Sequence, residues 1–128
     1  MSDHRITVLP GDGTGREVAL EAQRILDTIQ EHSNHGFDQT VIPCGGEHYK
    51  ATGEEWAEGS FELCKNQTDA IFLGAIGYPG ARLPNGDLAG GSVILGLRSG
   101  LDLYANVRPI KLYDCLLYTS PSPRDGIG

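Results

Sequence analysis

The chain has 128 residues and a mass of 13.7 kDa, enough for one domain with its own core, and its 39% hydrophobic content is ordinary for a globular protein. A net charge of −7 and a pI near 4.9 argue against nucleic acid as a partner, because phosphate binding needs a basic surface. No stretch approaches the roughly 20 consecutive apolar residues of a membrane span, so no membrane partner is expected.

Residues 5–9 (RITVL) are β-branched and apolar and end at Pro10-Gly11, which predicts a short buried strand. The loop PGDGTG follows. From Gly15, the positions Val18, Ala22, Ile25 and Ile29 recur at helical spacing, with Glu17, Glu21, Arg24 and Asp27 on other faces. This predicts an amphipathic helix ending near His32. Residues 37–42 read as a second strand, and residues 54–66 as a polar helical region carrying Trp56, Phe61, Leu63 and Cys64. The apolar run 70–75 (AIFLGA) has the character of a parallel strand covered on both faces. A long loop, 77–91, leads to a short helix over 92–99 and a strand over 101–112. In that strand Tyr104, Asn106 and Arg108 would share one face. Alternating strands and helices predict an α/β fold with a mainly parallel sheet and helices on both sides.

Three features could carry chemistry. Pro10-Gly11-Asp12-Gly13-Thr14-Gly15 links a strand to a helix, where backbone N–H groups can face an anion, yet Arg16 occupies the third glycine position of the dinucleotide fingerprint. It reads equally as a tight strand-to-helix turn. The loop after residue 74 leaves the C-terminal end of a predicted strand, where open α/β sheets bind ligands. Finally, Arg98 and Arg108 stand ten residues apart. Each offers a planar fork of donors that matches a carboxylate bidentately, so the pair suggests a small polyacid ligand, with the apolar Ile94 one turn before Arg98. Cys44, Cys64 and Cys115 lack disulfide or metal-ligand spacing, and the first residues lack a secretory pattern, so a cytoplasmic chain with reduced thiols is expected. His4, His32, His35 and His48 show no ligand spacing.

The segments ITVLPGDGTGREV, CGGEHYKATGE, DAIFLGAIGYPG and GLRSGLDLYANVRPIKLY together resemble the β-decarboxylating dehydrogenases. That family comprises the 3-isopropylmalate, isocitrate, homoisocitrate and tartrate/D-malate dehydrogenases. The opening loop departs from the usual PGDGIGPE at Thr14 and Arg16.

The resemblance implies a two-domain α/β fold that is not of the Rossmann type, of which only the N-terminal portion is present. Residues 1–99 would be the N-terminal part of the first domain and 100–114 the start of the second. It also implies a homodimer that oxidises a 2-hydroxy di-acid with NAD, assisted by Mg²⁺ or Mn²⁺, and releases the β-carboxylate as carbon dioxide. Arg98 and Arg108 match the first two substrate arginines. Gly74, Ala75, Ile76 and Gly77 are the candidate cofactor contacts. The catalytic tyrosine, the partner subunit's lysine, the metal-binding aspartates and the strands completing the first domain lie further along the family sequence. No catalytic or metal-binding residue is therefore expected in this chain, and it is expected to be inactive.

Substrate choice in the family is made on the helix before the first arginine, where isocitrate enzymes carry a serine and an asparagine. Here Ser92 falls at the serine position, but Ile94 replaces the asparagine. A buried carboxylate left unpaired there would cost several kcal/mol. An isopropyl branch would gain roughly 1.5–3 kcal/mol. The expected substrate is thus 3-isopropylmalate, an intermediate of leucine biosynthesis. Gly91 stands where isopropylmalate enzymes usually carry an acidic residue, which keeps tartrate or D-malate open. A different class of function, a non-catalytic binding module for di-acids, fits the same arginines.

The composition changes abruptly at Cys115. The string CLLYTSPSPRD resembles the translated read-through of a transposase sequencing adapter, so residues 115–128 are read as a non-native tail.

Overall fold

The computed structural model describes residues 2–111. Seven elements follow one another: β1 (Ser2–Leu9), α1 (Thr14–His32), β2 (His35–Val41), α2 (Gly46–Thr52), α3 (Ser60–Asn66), β3 (Ala70–Leu73) and α4 (Gly91–Gly100). The strands form one parallel sheet in the order β2-β1-β3. Thr7 lies between Thr40 on β2 and Ile71 on β3. This is the expected α/β architecture.

β1 is central because its side chains alternate between two apolar layers. Ile6 and Val8 face α1 and pack with Ala19, Leu26 and Phe37. Leu9 points to the opposite face, into a cluster with Ile42, Cys44, Cys64, Val93 and Leu97 that is flanked by Trp56 and Phe61. The second layer joins α3 and α4 to the sheet. Among the described residues no helix is long and apolar enough to cross a membrane.

Several expectations are corrected. The polar region 54–66 is not one helix. α2 precedes it and ends at Gly53, whose left-handed backbone (φ 84°) lets its N–H bond the Tyr49 carbonyl at 2.8 Å. Within residues 54–66 only Ser60–Asn66 is helical. The stripe predicted to bury α1 is displaced: Val18 and Ile25 are 65% and 61% exposed, while Gly15 and Ala19 are buried. Small residues let the helix approach the sheet closely at its first turns, so they, and not the larger stripe, make the contact. β3 is an edge strand with Phe72 and Leu73 exposed, not a strand covered on both faces. Residues 101–111 form no strand; Tyr104 is 100% exposed. A strand requires a partner for its backbone groups, and the sheet of described strands does not extend to this segment. Position 112 and the tail 115–128 lie outside the described residues.

Candidate functional site

The parallel strands bring their C-terminal ends to one side of the sheet, where the loops after Leu9, Val41 and Leu73 meet. A single carboxylate joins these loops. Asp12, 3% exposed, accepts from the Gly46 and Glu47 amides at 2.9 and 2.8 Å, at the start of α2. It also accepts from the Gly77 amide at 2.9 Å, beyond β3. Its own N–H donates to the Ala75 carbonyl at 2.7 Å. The Pro10–Gly15 turn therefore does gather amides around an anion, but the anion is the chain's own. Negative charge at the N-terminal end of α2 also suits the helix dipole.

Two glycines make this convergence possible. A Cβ on Gly74 would lie 2.0 Å from the Pro10 carbonyl oxygen, and one on Gly11 (φ 74°) 2.2 Å from the Ala75 oxygen. Only residues without a side chain allow the first and third loops to touch. Of the candidate cofactor segment, Gly74 donates its N–H to Leu9 (2.7 Å) and Gly77 donates to Asp12. Ile76 packs against the apolar cluster beneath.

α4 carries the other candidates. Its first turn is held by Glu55, which accepts from the Gly90 amide, the Ser92 amide (3.4 Å) and the Ser92 hydroxyl. Ile94 and Arg98 lie one turn apart on the same face of the helix. Ile94 is half-buried and Arg98 exposed. Among the described residues the Arg98 guanidinium has no hydrogen bond or ion pair, so its fork is free for a ligand. Arg108 lies in the exposed segment after α4, where its Nε donates to Asn106 Oδ1 at 3.3 Å. Asn106 and Arg108 are thus neighbours, although not on a strand face, and no described group bridges Arg98 to Arg108.

An open cavity of about 650 Å³ lies elsewhere, between α1 and α2. It is bordered by Arg16 and Glu47, which pair with each other, and by Cys44 at its base. Burial pushes the Cys44 thiol up to about 11 and raises that of Cys64, so both are inert, neutral core residues. No group of three or more His, Cys, Asp or Glu side chains among the described residues could hold a metal ion. Sequence reasoning missed Asp12 and Glu55. Asp12 carried a signal, a carboxylate between two glycines at a strand-to-helix turn. Glu55 carried none, because its partners are 35 and 37 residues away.

Comparison with known proteins gives consistent results. A family model described as isocitrate/isopropylmalate dehydrogenase matches residues 5–127. The 3-isopropylmalate dehydrogenase of Aquifex aeolicus is 41% identical over 122 residues, covering 94% of this chain and 33% of that protein. That of Clostridium acetobutylicum is 37% identical over 121 residues, covering 94% and 34%. The chain spans about a third of the length of these curated relatives. A β-decarboxylating dehydrogenase from Thermococcus kodakarensis, solved in its apo form, superposes with a TM-score of 0.59 at 32% identity, over 79% of this chain and 27% of that one.

Proposed function

The chain belongs to the isocitrate/isopropylmalate dehydrogenase family, and we propose that it forms part of the substrate grip of an enzyme that oxidises and decarboxylates a substituted malate, with 3-isopropylmalate as the substrate. In that enzyme NAD would take the hydride from the hydroxyl-bearing carbon and a divalent metal would polarise the resulting ketone, in a homodimer. The described residues fit neither group on their own. They assemble no metal-ligand set, and the Gly74 and Gly77 amides are already engaged within the chain. The Gly74–Gly77 segment would meet NAD by surface contact alone.

The observation that carries this reading is the pairing on α4 of an unpartnered Arg98 with the half-buried Ile94 one turn before it. The guanidinium would hold a malate carboxylate in its fork while Ile94 contacts the hydrocarbon branch. Arg108 would hold a second carboxylate. Fixing both acid groups orients the departing carboxylate, which is catalysis by positioning. Ile94 also argues against isocitrate, whose third carboxylate would meet a hydrocarbon side chain.

Isothermal titration of the chain with 3-isopropylmalate, isocitrate, tartrate and D-malate tests the reading. We expect 3-isopropylmalate to bind most tightly, and Arg98→Lys to weaken it about tenfold through loss of the bidentate fork. Tighter binding of isocitrate would refute it. Because the catalytic groups are expected further along the family sequence, the chain should show no NAD-dependent turnover.

A further inference from the structure

We infer that Glu55 is a specificity-determining residue: by holding the first turn of α4 through the Gly90 amide and the Ser92 amide and hydroxyl, it denies that helix end to a third substrate carboxylate. The inference rests on the reading of α4 as a substrate-gripping helix.

The N-terminal end of a helix attracts anions because its first amides have no partner within the helix. At the start of α4, the Gly90 and Ser92 donors are already met. The Glu55 carboxylate accepts from the Gly90 amide immediately before the helix and from the Ser92 amide at 3.4 Å. The Ser92 hydroxyl gives its only proton to the same carboxylate. A ligand carboxylate arriving at Ser92 would therefore find the Gly90 and Ser92 hydrogens taken and a like charge beside them.

Glu55 is well placed to do this persistently. Its carbonyl accepts from the Gly45 amide at 2.8 Å, and the next residue, Trp56, pairs with Cys44 and packs against the core. The carboxylate is thus anchored from the loop after β2, which lies against the start of α4. It lies at the opposite end of α4 from Arg98, in the last turn. The helix consequently presents a cation at one end and a neutralised, acid-repelling end at the other. A di-acid with an apolar branch suits that polarity; a tri-acid does not.

Glu55→Gln tests the charge. Glutamine keeps the length and one acceptor oxygen for the Gly90 amide, but its NH₂ group donates to Ser92 Oγ. The serine proton is then free to turn to a ligand. By titration of the 128-residue chain, the ratio of isocitrate to 3-isopropylmalate affinity should rise about tenfold in Glu55→Gln. Glu55→Asp retains the charge and should leave the ratio near that of the parent. A structural role alone would lower both affinities together in both variants, and an unchanged ratio in Glu55→Gln overturns the inference. Ser92→Ala provides a reading that does not depend on the Glu55 variants folding. A fall in isocitrate affinity on removing the hydroxyl would show that Ser92 already reads the third carboxylate, and would also overturn it. If the parent chain fails to bind 3-isopropylmalate, the functional reading falls. Glu55 is then judged on isocitrate alone, where a gain in Glu55→Gln supports its role and no gain overturns it.

Discussion

At the scale of single residues, Asp12 does the most. A buried carboxylate is costly unless it is hydrogen-bonded, and this one is met by three amides from two other loops. Asp12→Asn preserves the shape but must turn an NH₂ toward at least one of those N–H donors. Loss of charged hydrogen bonds of this kind costs about 2–3 kcal/mol, so the urea midpoint should fall accordingly, and Asp12→Ala should cost at least as much. A change under 0.5 kcal/mol would mean that the three loops are held by their backbone contacts alone. The glycine-flanked motif around Asp12 was visible in the sequence, whereas its partners were not. They lie 34 to 65 residues away, and no local pattern connects them. The buried thiols give a second residue-level expectation. With Cys44 raised to about 11 by burial, iodoacetamide at pH 8 should leave Cys44 and Cys64 unmodified in the folded chain and label both in urea, as read by peptide mass spectrometry.

At the scale of elements, β3 is short and is joined to β1 at its start by Arg5 and Asp69. The Arg5 side chain donates to both carboxylate oxygens at 3.2 and 2.9 Å, and the two backbones also engage this pair of residues. The side-chain hydrogen bond from Arg5, with its amide adding to it, holds the Asp69 carboxyl down at about 2. A depressed folded-state value stabilises the fold above the ordinary value of 3.8, and the contribution disappears as pH falls through about 2. Urea midpoints recorded between pH 5 and pH 2 should therefore decline, and Asp69→Asn should remove part of that decline while lowering the midpoint at pH 5. Equal pH dependence in both chains would show the pair to be without energetic effect. Elements were legible where periodicity and local punctuation agreed, as in β1, α1 and β3. They were misread where tertiary partners decide. Residues 101–111 have a strand's alternation but no strand beside them among the described residues, and α1 is seated by Gly15 and Ala19, its buried residues.

At the scale of the whole molecule, three exposed apolar groups stand out among the described residues. α1 carries Val18, Ile25 and Ile29 outward; the edge strand β3 exposes Phe72 and Leu73; and Leu103, Val107 and Ile110 are exposed beyond α4. Parallel sheets are normally covered on both faces, and a parallel edge offers unpaired backbone groups to any strand that reaches it. The chain spans about a third of the length of its curated relatives. We propose that in a chain of their full length these surfaces are interior. Alone, the chain should associate: light scattering should rise with protein concentration in the micromolar range. The α1 stripe separates association from folding, because Val18 and Ile25 contribute little to the described core. Replacing both with lysine removes the apolar stripe and adds like charges that repel between copies. Scattering should fall while the urea midpoint stays within about 0.5 kcal/mol of the parent, as for exposed positions generally. A large loss of stability would instead mean that the stripe is packed in the folded chain. Unchanged scattering would move the sticky surface to the sheet edge, where a lysine at Phe72 tests it next.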